Sequence, residues 1–279
     1  MSGRQDTLAG RTDDDRVHGF SRRHAVRPRT GVLVLHGFTA TPLSVAAWAE
    51  EFHAAGFDVE VPLLPGHGTT AADCDRTTWA DWLGAAQAAL DRLDHEVVLV
   101  AGISMGGGLA LRLAELRPDR VHGLVLANPA VLLEPWKLAA VQVLGRVLPR
   151  WPGVAGDLQD TSVQVLAYDT TPLRALVSQA AGWRDVRRDL ALVRQPLLLL
   201  RSRVDHVVPA ASARAVLAGV SSAEVSEVVY ANSFHELTSD RDAPAVFAAS
   251  VRFARRRSHP DHPTGHPTDH PGGTVPGPS

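Results

Sequence analysis

Val97-Val98-Leu99-Val100-Ala101-Gly102-Ile103-Ser104-Met105-Gly106-Gly107 is the stretch on which the fold turns. Its first five residues form an apolar run of strand length. Beyond it, Leu109-Ala110-Leu111-Arg112-Leu113-Ala114 has a helical pattern. Between a strand and a helix, Gly-x-Ser-x-Gly holds its serine in a strained turn with the hydroxyl pushed out above the sheet edge. Side chains two residues before and after the serine would collide there, which calls for glycine at 102 and 106. As a bare pattern it arises by chance in roughly one chain in ten of this length, so its meaning depends on what the rest of the chain supplies.

Working outward, Gly31-Val32-Leu33-Val34-Leu35 is another continuous apolar run, closed by His36-Gly37-Phe38-Thr39. Runs without strict alternation suit strands buried on both faces of a parallel sheet. Pro42 opens a helix with Val45, Trp48, Phe52 and Ala55 on its apolar positions, and Gly56 ends it. Residues 57–64 read as a strand leading into Pro65-Gly66-His67-Gly68, and Thr78 to Leu93 as an amphipathic helix. Further strands are expected at Gly123–Ala127, Pro196–Leu200 and Val225–Tyr230, with a last helix from about Ala243 to Arg255. Strands alternating with helices imply a mostly parallel, doubly wound α/β sheet. Residues 130–190 show helical patterns and no clear strand. The expected organisation is an irregular lead-in (1–30), a core from 31–129 and 191–256, an inserted helical cap (130–190), and a disordered Pro/His/Gly-rich tail (257–279).

Composition narrows the setting. The 279 residues are 45% hydrophobic and carry a net charge of −2 with both signs interspersed, which argues against nucleic acid as a partner. Cys74 is the single cysteine, so no intrachain disulfide forms and a reducing cytoplasm is expected. Asp73 and Asp75 beside it oppose a reactive thiolate. The first sixteen residues have no apolar stretch and do not read as a signal peptide. The most apolar region, Leu124 to Leu148, is broken by polar residues and prolines, so stable membrane insertion is not expected. The tail histidines are each followed by proline and read as a solvated segment in place of a metal site.

Functional groups in open α/β sheets gather at the carboxyl ends of strands. The residues just past each expected strand are His36 to Phe38, Ser104, Asn128, Asp205 and His235. A serine hydroxyl needs a base within hydrogen-bond reach to act as a nucleophile. His235 could be that base, and Asp205 could fix its tautomer and stabilise the imidazolium. Asp205 also suits a loop or capping role before Pro209; Asp185 and Asp189 are competing acids on predicted helix. His206 is expected to point elsewhere, and Asp240 to cap the last helix. Acyl transfer also needs donors for the oxyanion. The backbone N–H groups of Met105, at a helix N-terminus, and Phe38, after the first strong strand, are the candidates.

The motifs His36-Gly37-Phe38-Thr39, Pro65-Gly66-His67-Gly68, Thr78-x-x-Asp81-Trp82, Gly102-x-Ser104-x-Gly106, Asp205-x-Val207-Val208-Pro209 and Asn232-Ser233-x-His235 occur in that order. Across about residues 30–255 the chain resembles the bacterial carboxylesterase / monoacylglycerol lipase branch of the α/β-hydrolase superfamily. The resemblance implies the α/β-hydrolase fold with a helical cap over an apolar acyl pocket. It implies Ser104, Asp205 and His235 as a triad, Phe38 and Met105 as the oxyanion positions, and no metal or organic cofactor. The expected substrates are carboxylic esters of short-to-medium acyl chain, monoacylglycerols among them. The same triad could act on a thioester, lactone, amide or carbon–carbon bond. A non-catalytic binder is disfavoured because all three triad residues are present. Val131, Leu132 and Trp136 are candidate pocket residues, though at helical spacing they serve equally as the core of the cap. Oligomeric state is not encoded legibly.

Overall fold

The computed structural model describes residues 12–134, 136, 137, 139–141, 143, 150–153 and 156–258. Seven strands form one sheet: β1 (Phe20–Arg22), β2 (Thr30–Leu35), β3 (Asp58–Val61), β4 (Val97–Ile103), β5 (Gly123–Ala127), β8 (Leu197–Ser202) and β9 (Val225–Tyr230). A separate pair, β6 (Arg150–Pro152) and β7 (Thr170–Pro172), runs antiparallel. The order across the large sheet is β1-β3-β2-β4-β5-β8-β9, parallel throughout except where β1 meets β3. The helices include α1 (Ala46–Ala54), α2 (Ala71–Cys74), α3 (Trp79–Arg92), α4 (Met105–Leu116), α5 (Leu173–Asp189), α6 (Ala210–Gly219) and α7 (Ala243–Ser258).

The apolar runs are continuous because both faces of the sheet are covered. In β2, Leu33 and Leu35 join a core with Trp82 and Leu90 of α3 and Leu109 and Leu113 of α4. Val32 and Val34 face the other way, onto Trp48 and Phe52 of α1 and Phe253 of α7. All of these side chains are buried. Burying each stabilises the fold by about 1.5–3 kcal/mol before conformational entropy is charged against it.

Two regions depart from the expectations. The lead-in carries β1, paired with β3 through Phe20–Val61 and Arg22–Val59, and is not wholly irregular. Residues 130–190, where no strand is expected, contain β6 and β7, with Trp151 opposite Thr171. Both strands are three residues long, too short to produce a period. The tail expected over 257–279 lies almost wholly outside the described residues, which stop at Ser258.

The topology also sets the position of the chemistry. From β3 the chain crosses back over β2 to pair β4 with it, bringing Leu35 beside Gly102. The loops that leave β2 and β4 therefore emerge side by side at the sheet's carboxyl edge, the usual place for a site in such folds.

Candidate active site

Ser104 stands at the turn from β4 into α4 with φ +53° and ψ −117°, a conformation that a non-glycine residue rarely adopts. Its neighbouring glycines are required by space. A Cβ on Gly102 would lie 2.3 Å from the Gly106 carbonyl oxygen. On Gly106 it would lie 2.2 Å from the carbonyl oxygen of Leu35 on the adjacent strand. The clash at Gly106 is thus with β2, and not with a side chain at 102. The N–H of Gly108 bonds back to the Ser104 carbonyl and starts α4. Met105, the first helical residue, has an N–H left over by the helical pattern and aimed out of the helix end.

His235 follows β9, and its Nδ1–H donates to Asp205 Oδ2 at 2.8 Å. Asp205 Oδ1 accepts the backbone N–H groups of Val207 at 2.9 Å and Val208 at 2.7 Å. Both carboxylate oxygens of Asp205 are engaged: the turn hydrogen bonds on one hold the other against the imidazole. Burial disfavours a charged imidazole, but the Asp205 carboxylate, with Glu236 and Asp157 behind it, holds His235 above the ordinary histidine pKa. Burial pushes Asp205 upward, but His235 and the two backbone donors outweigh it and leave its carboxyl below the usual range. Nε2 is left as the basic nitrogen.

Ser104 and His235 open on one cavity of about 400 Å³, a size usual for small-molecule sites. Its walls are largely apolar, with Phe38, Leu133, Trp136, Leu173, Leu176 and Val207 among them. Trp136 is one of its lining residues. Val131 and Leu132 are not among its lining residues. Val131 is buried in the core, its N–H donating to Ser212 Oγ at 2.8 Å. Helical spacing marks an apolar face without saying whether it meets a cavity or another helix, and at Val131 it meets the core.

Phe38 reaches the cavity from the loop after β2, and three separate motifs hold that loop. His36, fully buried, donates from Nδ1 to the Gly37 carbonyl at 2.9 Å and accepts the Leu64 N–H on Nε2 at 3.2 Å. His67 packs edge-on against His36, Phe38 and Trp82. Trp82 Nε1 donates to the Pro65 carbonyl at 3.0 Å. Thr78 and Asp81 form a reciprocal cap that starts α3 one turn before Trp82. The His-Gly-Phe, Pro-Gly-His-Gly and Thr-x-x-Asp-Trp stretches thus meet in a single aromatic cluster behind Phe38. Cys74 lies under it, buried, its thiol pushed up to about 12 by burial and so unreactive at neutral pH.

Several residues acquire roles that no motif announces. Asn128, at φ +41°, donates from Nδ2 to the His235 carbonyl at 2.9 Å and Ser202 Oγ at 3.1 Å, and accepts the Ser202 N–H at 2.9 Å. Asp157 accepts the N–H groups of His235 at 3.2 Å and His206 at 3.1 Å, and the His206 ring at 2.8 Å. His206 is turned toward Asp157 and also reaches the cavity wall. The Asp240 side chain does not serve as a helix cap. It gathers the N–H groups of Gln159, Asp160, Phe234 and Arg241, joining the His235 loop to the segment around 159. The competing acids go elsewhere: Asp185 pairs with Arg188, and Asp189 with Arg112 and Arg188.

Comparison with known proteins agrees with this architecture. A family model described as serine aminopeptidase, S33, matches residues 26–242. The chain is 38% identical over 240 residues to a thermostable monoacylglycerol lipase of Bacillus sp. (strain H-257), covering 85% of this chain and 95% of that one. A carboxylesterase of Bacillus subtilis (strain 168) is 23% identical over 228 residues, 81% of this chain and 92% of that protein. A solved structure from work on LipS and LipT, two metagenome-derived lipolytic enzymes, superposes with a TM-score of 0.83 at 33% identity. It covers 87% of this chain and 98% of its own. The structure of a monoacylglycerol lipase from Paleococcus ferrophilus, at 20% identity and a TM-score of 0.74, shares the fold over 86% of this chain and 99% of that one.

Proposed function

The chain belongs to the serine aminopeptidase, S33, family of α/β-hydrolase-fold serine hydrolases, and from that premise we propose a hydrolase of monoacylglycerols with short-to-medium acyl chains. Ser104 Oγ attacks the ester carbonyl while His235 Nε2 takes its proton. Asp205 holds the imidazole tautomer and stabilises the imidazolium. The tetrahedral oxyanion is met by the N–H groups of Phe38 and Met105. His235 then returns the proton to the departing glycerol oxygen, leaving an acyl ester on Ser104. Water, deprotonated by the same imidazole, releases the fatty acid and restores the serine.

The observation that carries this reading is the 2.8 Å bond from His235 to Asp205 beside an apolar cavity that Ser104 also lines. The cavity wall suits an acyl chain, and the 38% identical relative acts on monoacylglycerols by its name. Residues 130–190, from which much of that wall comes, act as the cap that selects the chain. A cytoplasmic setting belongs to the same reading, supported by a single cysteine that is buried and unpaired. Among the described residues no helix is long and apolar enough to cross a membrane.

The test is a panel of p-nitrophenyl esters and monoacylglycerols of graded chain length, with aminoacyl p-nitroanilides as the amide arm and Ser104→Ala as the blank. Turnover of octanoyl- and decanoylglycerol by wild type, absent in Ser104→Ala, is expected. Activity surviving in Ser104→Ala would remove the nucleophile, and turnover confined to the anilides would make the enzyme an amidase.

A further inference from the structure

Two polar groups in the wall of the cavity have no partner among the described residues. Gln179 and Trp183 lie one turn apart on α5, at 2% and 3% exposure, and both line the cavity that Ser104 faces. Gln179 Oε1 and Trp183 Nε1 are buried with no hydrogen-bond partner among the described residues. A Cβ on Gly108 would come within 3.6 Å of that indole nitrogen, which sets it beside the first turn of the helix that Ser104 opens. Leaving one buried acceptor and one buried donor unpaired is costly, and native folds keep few of them. Of the other polar side chains of the cavity, His235 is buried but bonded to Asp205, and Thr39, Thr171 and His206 are at least partly exposed.

We propose that Gln179 and Trp183 form a hydroxyl-recognition subsite that holds the glycerol moiety of the substrate. The inference rests on the monoacylglycerol reading and deepens it. A hydroxyl both donates and accepts, so it answers an amide oxygen and an indole N–H at once. An acyl chain answers neither, and of a monoacylglycerol only the glycerol carries free hydroxyls. A site built to bond a hydroxyl also discriminates against an ester that lacks one, because its own groups are then left unpaired.

The test compares kcat/KM for 1-decanoylglycerol and ethyl decanoate, esters of one acyl chain, in wild type, Gln179→Leu and Trp183→Phe, with thermal melting alongside. Each variant is expected to lose about tenfold or more on decanoylglycerol and to stay within about threefold of wild type on ethyl decanoate. Gln179→Leu should also melt no lower than wild type, because leucine replaces an acceptor with nothing to bond. Equal loss on both esters, or loss on neither, would overturn the subsite while leaving the functional reading in place. Wild type that cleaves ethyl decanoate but not decanoylglycerol would overturn the reading itself. Should Trp183→Phe fail to fold, Gln179→Leu decides by the same ratio.

Discussion

The carboxylate of Asp157 accepts the backbone N–H of His235 at 3.2 Å. The backbone carbonyl of Asp157 takes the N–H of Glu236 at 3.2 Å. A residue 78 positions upstream, in the segment between β5 and β8, therefore holds the loop that carries the proposed base. Asp157→Ala should lower kcat for p-nitrophenyl esters roughly tenfold, since a shift well under 1 Å in a catalytic group is costly. Serine-directed labelling of Ser104 should still occur, more slowly. Unchanged turnover would mean that the loop keeps its position without this clamp.

The same negative charges bear on pH. In the proposed mechanism His235 must be neutral to accept the serine proton; burial disfavours its charged form, but Asp205, Glu236 and Asp157 hold its pKa above the ordinary range. The acid limb of kcat/KM should therefore fall above the ordinary histidine value of 6.5. Glu236→Gln removes one of those charges while keeping its shape, and should move the limb to lower pH. Burial raises the Glu236 pKa as well, so the displacement should be largest where its carboxylate is ionised. A limb that moves upward, or does not move, in Glu236→Gln would dissociate the two groups.

What could be read from the chain follows from the range of the interactions involved. The strands before the elbow and the His-Gly-Phe loop are local: burial on both faces writes a continuous apolar run, and a strained turn demands glycine at fixed offsets. That Asp205 and His235 meet is legible because chain order and strand ends restrict where such residues can lie. Asp157 and Asn128 act on His235 from 78 and 107 residues away, and nothing beside them in sequence marks that contact. Val131 and Trp136 illustrate the limit within one segment: both are apolar, yet one packs into the core and the other lines the cavity. Strands of three residues, as in β1, β6 and β7, are shorter than any pattern that could reveal them.

Asn128 joins the ends of β5 and β8 to the His235 loop by side-chain bonds while its own backbone is left-handed. Asn128→Ala loses the bonds and keeps the strain, so it should cost about 2–4 kcal/mol of unfolding free energy in urea. Asn128→Gly relieves the backbone without restoring the bonds. It should recover part of that stability, while turnover, lowered in Asn128→Ala by loss of the bonds to the His235 loop, should stay low. If glycine restored activity as well, the backbone conformation alone would be what the site requires.

Acid should expose the histidines behind the Phe38 loop. His36 is pushed down to about 3, chiefly by burial and then by His67, and uses both ring nitrogens in hydrogen bonds that need the neutral form. Unfolded, it titrates near 6.5. Above 6.5 it is neutral in both states and adds no pH dependence. Between 6.5 and about 3 only the unfolded chain binds the proton, so stability falls on acidification by about 1.4 kcal/mol per pH unit. His67, pushed down to about 4 chiefly by burial, adds to this slope, and Glu115, pushed up to about 7 by burial, works in the opposite direction over part of the window, so the raw slope mixes several groups. Comparison of wild type with His36→Gln isolates the histidine. The variant should be less stable at pH 7, and the gap should close by about 1.4 kcal/mol per unit as the pH falls from 6 to 4.5. Urea midpoints across that range measure it. Parallel curves would show that His36 takes up its proton without unfolding, and would remove the electrostatic account of the loop's acid sensitivity.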